Sequence, residues 1–528
     1  MRSAAFVAAG ILISRLTGLI RQHYFSRYFG LQSNAADAFS AAFRIPNFLQ
    51  NLFGEGALSA SFIPVYASLL ARGEHDEADR VARAVAAILA LVVAALVLAG
   101  VAATPFLIDA IAPGFEGDKR DLTVAIVRVL FPGAGLLVLS AWCLGVLNSH
   151  HRFLVSYAAG AMWNLAMIAT LVAFGPRTAP PRLAILLAWG SVVGSALVVL
   201  VQLPIVWRVA PGIVSASRRR GMETSTSTSM HVRTIVGNFT PAFISRGVVQ
   251  VSAYIDTWIA SWLPTGAVTG LSNATLLYTL PVSLFGMSVS AAELPAMAGA
   301  WSVDPAGAEA VRLRLNAGLR QIAFFVVPSA VAFLALGDVL AGALFMSGRF
   351  THVDVLVVWA ILAGSSVGLL ASTLGRLYSS TYYALRDTRT PLRYALVRVA
   401  LTTALGYACA IPLPRALGIP GIWGAAGLTA SAGVAGWVEM LLLRRTMNMR
   451  LGATGLAAGF VVKLWMSAIV AAAAAWAVKL AVGARLHPIV IAAFVLPTYG
   501  VVFLAMTLLL RVPEAASALA RFGPFARR

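Results

Sequence analysis

"DAFSAAFRIPNFLQNLFGEGALSASFIP", residues 37–64, decides how the rest of the chain is read. The stretch is largely apolar, yet it holds Asp37, Arg44 and Glu55, with Asn47, Gln50 and Asn51 among them and Pro46 in the middle. A charge at bilayer depth costs at least about 2.5–3.5 kcal/mol, so such groups face a cavity or a partner rather than lipid. At roughly 100° per residue, Asp37, Ser40, Arg44, Asn47, Asn51 and Glu55 all fall within about 80° of one another, and Gln50 falls off that stripe. The segment therefore predicts a membrane helix with one wet face, since hydrocarbon cannot satisfy these groups. Pro46 predicts a kink in it.

The surrounding chain fits a membrane setting. Of its 528 residues, 59% are hydrophobic and only 11% charged, where a soluble protein carries about 25% charged residues. Apolar runs of roughly 18–25 residues recur along the whole length, which predicts spanning helices. The runs are continuous and do not alternate, which excludes a β-barrel. The net charge of +20 lies mostly in short connections, so it reads as an orientation signal and not as a nucleic-acid surface. Cys143 and Cys409 each sit in an apolar run, a pattern that gives neither a disulfide framework nor a zinc site.

Segmentation gives fourteen spans, near residues 4–28, 35–66, 82–112, 122–147, 153–175, 183–207, 233–262, 268–301, 320–346, 352–384, 392–413, 420–443, 457–481 and 486–510. An even number puts both termini on one side. With the N-terminus inside, 23 Lys and Arg fall in cytoplasmic connections and 8 in outside ones, as the positive-inside rule requires. The expected organisation is an N-terminal lobe over 1–210, a basic Ser/Thr-rich linker over 211–232 containing "SRRRGMETSTSTSM", a C-terminal lobe over 233–445, and two further helices with a tail over 446–528.

A short internal repeat supports two related halves. "ISR" at 13–15 is followed by Pro46, Phe53-Gly54 and Pro64; "ISR" at 244–246 is followed by Pro281, Phe285-Gly286 and Pro295. Duplicated halves are a common transporter plan, with the substrate site between them. Pro46, Gly54, Pro281 and Gly286 are the expected bending points. Span 8 has its own polar stripe ending in Glu293, and span 7 carries Arg246 and Asp256. Spans 1, 2 and 7 together set Arg15, Arg21, Arg44 and Arg246 against Asp37, Glu55 and Asp256. Arginine suits bidentate phosphate recognition, so the excess points to an anionic substrate such as a phosphate or pyrophosphate. Structural ion pairs, such as Arg44 with Asp37, are the competing reading.

Several pieces, in this order, resemble one family: "SRLTGLIRQ", "ADAFSAAFRIPNFLQNLFGEGALSASFIP", "APGF", "LNSHHRF", "GRFT" and "YYALRDTRTPLRYA". They resemble the MurJ/MviN family of lipid II flippases in the MOP exporter superfamily. The resemblance implies an all-α polytopic membrane protein of about fourteen transmembrane helices, MATE-like, with two six-helix lobes around a cationic cavity and two C-terminal helices. It implies alternating-access movement of an undecaprenyl-pyrophosphate-linked peptidoglycan precursor across the bacterial inner membrane. It assigns cavity roles to Arg15, Arg21, Asp37, Arg44, Asn47 and Glu55. It also shows departures, because many relatives carry Arg where this chain has Gln50, and Arg and Glu where it has Leu276 and Thr279. Arg246 is the candidate replacement charge.

The implied partners are the polyprenyl-pyrophosphate lipid, the surrounding membrane lipids and the cell-wall synthesis machinery, with no nucleic acid. No organic cofactor is implied; coupling to Na+ or to the membrane potential is, with Asp256 as a candidate ligand set against a structural pairing of Asp256. "RDTRTPLR" predicts a turn capped or braced by Asp387 and Thr388, with Pro391 starting the next helix, and gives Asp387 and Arg389 a gating or structural role. Rival functions are export of another polyprenyl-linked glycan, a non-transporting scaffold, or a membrane enzyme. The enzyme would want clustered carboxylates or histidines, and the only histidine cluster, His150-His151, has no carboxylate beside it.

Overall fold

The computed structural model describes residues 2–215, 226–301, 305–483 and 486–522. Among these there is no strand, and eleven helices are long and apolar enough to cross a membrane. Three further helical stretches fill the remaining expected spans: α1 (Arg2–Phe29), the broken run α2 (Asn34–Ala42), α3 (Arg44–Gln50) and α4 (Ser59–Ala71), and, after α5 (His75–Ile111), α6 (Gly117–Ser149), α7 (Phe153–Phe174), α8 (Pro180–Val209) and the short α9 (Gly212–Ser215), the helix α10 (Thr226–Ser261). These three carry Arg15, Arg21, Asp37, Arg44 and Asp256, charges that face a cavity or a partner rather than lipid. The chain continues as α11 (Ala267–Pro281), α12 (Ser288–Ala300), α13 (Pro305–Phe345), α14 (His352–Ala384), α15 (Arg389–Ala410), α16 (Pro412–Leu417), α17 (Gly424–Leu451), α18 (Ala458–Val482), α19 (Pro488–Leu509) and α20 (Pro513–Phe522).

Helix ends depart from the apolar spans where polar turns prolong a helix. α5 begins at His75, with Asp76 and Glu77 in its first turn, and α13 begins at Pro305, where apolarity places starts at 82 and 320. Acidic residues complement the positive N-terminal end of a helix, and proline suits its first position. Hydropathy registers neither. α14 is fixed by a capping box: Thr351 Oγ1 accepts the Asp354 amide at 3.4 Å, and the Asp354 carboxylate accepts the Thr351 amide at 2.9 Å.

The chain forms two compact units, one of Met1–Thr269 with Ser347–Arg349, the other of Gly270–Met346 and Phe350–Arg528. By packing, α10 belongs to the first unit. Its start is tied to the start of α5, where Thr228 Oγ1 donates to Glu77 at 2.8 Å and Arg80 Nη2 donates to the same carboxylate at 2.7 Å. Further along, Tyr254 packs edge-on against Phe48, and Phe239 packs on Phe53. Sequence duplication and packing therefore divide the chain at different places.

Small residues set the closest helix crossings. In the first unit "GSVVG" (190–194) on α8 faces α7, where Cβ atoms at Gly190 and Gly194 would meet Thr170 and Trp163. In the second unit "GSSVG" (364–368) on α14 meets α17, and a Cβ on Gly368 would lie 2.5 Å from the Gly433 Cα. Glycines four apart let helix backbones approach in this way. Gly368→Leu is expected to cost about 1–3 kcal/mol or more through overpacking. Thermal unfolding of the purified protein checks this, and an unchanged midpoint would contradict the backbone contact.

In the second unit α18 and α19 pack against α13 and against each other. α13 kinks at Leu336 (φ −127°, ψ 15°). The carbonyls beside the kink find tryptophan donors: Trp359 Nε1 reaches Leu334 O at 3.1 Å and Trp476 Nε1 reaches Ala335 O at 2.9 Å. A kink among apolar helices is tolerated when freed backbone groups are re-satisfied in this way.

Candidate substrate-binding site

The segment 37–64 is one helical run broken twice. The first break is at Phe43, between α2 and α3. A proline at 46 has no N–H for the carbonyl of Ala42, four residues earlier. The second is a π-helical turn over Asn51–Leu58. A matching π-helical turn, Val282–Met287, follows Pro281 in the second unit. Both contain Phe-Gly, so the two sequence repeats share a backbone device. π-turns of this kind recur at functional sites. At Gly286 the reason for glycine is visible: a Cβ there would lie 3.0 Å from Thr373 Cγ2 on α14.

The two breaks shift the phase of the residues along the run, because neither a broken nor a π-helical run keeps 100° per residue. Asp37 is 1% exposed. Its carboxylate accepts the amides of Gly266 and Thr269 at 2.9 Å each, the Thr269 hydroxyl at 2.8 Å, and the Lys119 ammonium at 2.8 Å. Ser40 Oγ lies 3.2 Å from the same Thr269 hydroxyl. Asp37 thus caps the start of α11 and pairs with Lys119, and no oxygen of it is left for a substrate. Arg44 and Asn47 are half-buried and Asn51 is exposed. The side chains of Pro46, Gln50, Gly54, Glu55 and Arg246 lie outside the described residues.

Arg44 is not paired with Asp37. Asp256 and Tyr254 on α10 are the groups that act on its guanidinium, and the Tyr254 hydroxyl donates to the Arg44 carbonyl at 3.1 Å. Asp256 is thus the acidic group whose charge acts on Arg44. Glu293 also has a structural partner, Arg314 on α13, at 3.5 Å.

Arg21 stands apart. Its guanidinium lies 4.9 Å from the centroid of Phe43 and 6.0 Å from that of Trp163, and these two rings stack on each other at 5.1 Å. Among the described residues its close polar contact is the Met167 sulfur, 4.0 Å from Nη1. Among the described residues no carboxylate pairs with it. Stacking on rings holds the guanidinium plane while leaving its N–H edge available, the geometry suited to bidentate binding of a phosphate. Arg15, on the same helix, is exposed. Sequence reasoning found Arg21 and missed its platform and the Lys119–Asp37 pair, which join residues far apart in the chain. Lys119 reads in sequence as an ordinary loop charge.

The turn Leu385–Thr388 is braced as its sequence suggests. The Asp387 carboxylate accepts the amides of Arg389 and Thr390 at 3.0 Å each, the Thr390 hydroxyl at 2.7 Å, and Arg450 Nη2 at 2.7 Å. Burial alone would raise the Asp387 pKa, but the Thr390 bonds and Arg450 outweigh it and hold it at about 2 against an ordinary 3.8. A depressed acid stabilises the fold above its unfolded pKa and loses that contribution as pH falls through the folded value. Protection of the Arg389 and Thr390 amides from hydrogen exchange should therefore hold at neutral pH and fall between about pH 4 and pH 2. In Asp387→Asn the fall in that window should be absent; a wild-type-like fall in the variant would refute the assignment.

A family model described as lipid II flippase MurJ matches residues 25–510. The chain belongs to the MurJ lipid II flippase family. A lipid II flippase MurJ of Burkholderia cenocepacia is 33% identical over 445 residues, spanning 84% of this chain and 82% of that protein. A probable lipid II flippase MurJ of Rhizobium meliloti is 33% identical over 455 residues, spanning 85% of this chain and 81% of that one. The fold is that of a solved lipid II flippase MurJ in an inward closed conformation, with a TM-score of 0.75 at 21% identity, covering 96% of this chain and 99% of that one. An inward-facing multidrug resistance MATE transporter of the MOP superfamily is also similar, with a TM-score of 0.61 at 16% identity, covering 85% of this chain and 98% of that one. The all-α, MATE-like, polytopic fold class expected from the sequence is the one observed.

Proposed function

We infer that this chain is a lipid II flippase of the bacterial inner membrane, a transporter and not an enzyme. The match to the MurJ family over residues 25–510 carries the reading, and the ring-stacked, carboxylate-free Arg21 gives it a chemical basis. Lipid II carries its headgroup on undecaprenyl pyrophosphate. That diphosphate must cross about 30 Å of hydrocarbon, where unpaired charge is prohibitive. Arg21 and Arg15 replace its water, while the prenyl tail stays in lipid. The fold then exposes this basic face to one leaflet and next to the other, and a single ring-held guanidinium binds firmly enough to load and weakly enough to release.

The orientation we propose puts both termini in the cytoplasm, on the distribution of 23 against 8 basic residues between the two sets of connections. We assign Asp256 to Arg44 and no step to Na+. Export of another polyprenyl-linked glycan is the second reading. It is favoured by Gln50, Leu276 and Thr279, uncharged where the family resemblance brings charge; the Thr279 hydroxyl is spent on its own helix, donating to Thr275 O at 2.7 Å.

Complementation tests the proposal. Expression in a bacterium depleted of its lipid II flippase should restore growth, and a Gln50→Arg variant should do so at least as well. No rescue by protein present in the membrane at normal levels would refute the lipid II reading.

A further inference from the structure

The second unit holds a basic cluster of its own, built from four helices. Arg376 lies on α14 roughly two turns before its end, and Arg398 lies on α15 roughly two and a half turns after its start. Both are therefore about 12–14 Å along their helices from the turn Leu385–Thr388, farther than an arginine side chain reaches to escape to an interface. Glu439 on α17 sits with them, 3.4 Å from Arg398 Nε and largely buried. Tyr278 on α11 and Tyr383 on α14 act on Arg376, as do Glu439 and Arg398. Tyr278 is held against α14 by a 2.8 Å bond between its hydroxyl and Ser372 Oγ.

The charges do not balance. Two guanidinium groups share one carboxylate, and that carboxylate lies against Arg398. Among the described residues Arg376 forms no direct ion pair, and it is exposed. A structural triad would bury Arg376 on Glu439; a lipid-facing position would not bring Tyr278, Tyr383, Arg398 and Glu439 around it from four helices. An accessible, uncompensated cation at this depth implies an anion that comes and goes.

We propose that Arg376 and Arg398 form an oxyanion subsite in the second unit, taking a carboxylate or phosphate oxygen of the transported headgroup, with Glu439 holding Arg398 back so that the ligand is released. The source of the oxyanion rests on the flippase reading; the subsite itself does not. Lipid II offers both chemistries, since its headgroup carries peptide carboxylates as well as the diphosphate.

The test is binding by the full-length protein in phosphatidylcholine nanodiscs, with lipid II, undecaprenyl pyrophosphate and inorganic pyrophosphate as probes. Arg376→Gln should weaken lipid II binding about tenfold, the effect of losing one charge-assisted contact, while Arg376→Lys retains most of it. If Arg376→Gln weakens lipid II alone, the subsite takes carboxylates; if it weakens undecaprenyl pyrophosphate equally, it takes phosphate. Glu439→Gln should tighten binding severalfold, an effect of opposite sign that a damaged fold would not produce. Wild-type affinities for every probe in Arg376→Gln and Arg398→Gln would overturn the proposal, as would unchanged or weaker binding in Glu439→Gln. Should the wild type bind neither lipid probe, the flippase reading falls, and inorganic pyrophosphate decides the subsite: it stands if Arg376→Gln loses that binding and falls if it does not.

Discussion

Arg21→Glu is expected to abolish rescue of a flippase-depleted strain, and Arg21→Ala to lower transport by one to two orders of magnitude. The guanidinium is held over Phe43 and Trp163 without a carboxylate, so its favourable electrostatics are available to a ligand. A hydrogen bond to a charged group contributes about 1.5–3 kcal/mol, which is roughly 10–150-fold in affinity or rate. Because Arg21 forms no ion pair among the described residues, its loss should leave thermal stability close to wild type. A structural arginine would show the reverse, with stability lost and transport preserved in the protein that folds. Phe43→Leu offers a second check, since it removes the platform but keeps the charge and should give a partial loss.

Asp37→Ala is expected to have the largest effect on stability. The substitution leaves the Lys119 ammonium buried without its partner and strips the Gly266 and Thr269 amides of their acceptor. Breaking a buried charge pair from one side costs about 3–5 kcal/mol. The checking measurement is the thermal midpoint of the purified protein in detergent, with a double variant Asp37→Ala, Lys119→Met alongside. Removing both charges should recover part of the loss, because no unpaired ammonium then remains. A single variant as stable as wild type would refute the capping role of Asp37 and return it to the cavity.

The contrast between these two residues shows what the sequence makes legible. Long apolar runs reveal the spans because hydropathy is additive over about twenty residues and needs no knowledge of neighbours. The polar extensions at His75 and Pro305 escape that signal, although Asp76, Glu77 and the prolines mark helix starts by a different rule. The stripe on 37–64 marks a charged segment but assumes a regular helix, and a π-helical turn and a break at Phe43 change that phase. Pro46 and the Gly54-Glu55-Gly56 run hinted at both. Asp37 and Lys119, 82 residues apart, meet only through folding. Arg44 likewise comes under the charge of Asp256, while Asp37 pairs with Lys119. The glycine pairs 190–194 and 364–368 were readable as close-packing motifs, because their spacing alone places both glycines on one helix face.

Exposure of lipid II on the outer leaflet tests the central claim most directly. In flippase-depleted cells expressing this chain, an externally added enzyme that cleaves the lipid II headgroup should find its substrate accessible, as in wild-type cells. With Arg21→Glu at equal membrane level and equal lipid II pools, accessibility should fall to that of depleted cells. Inaccessible lipid II in cells carrying the unaltered chain at normal membrane level would contradict the account.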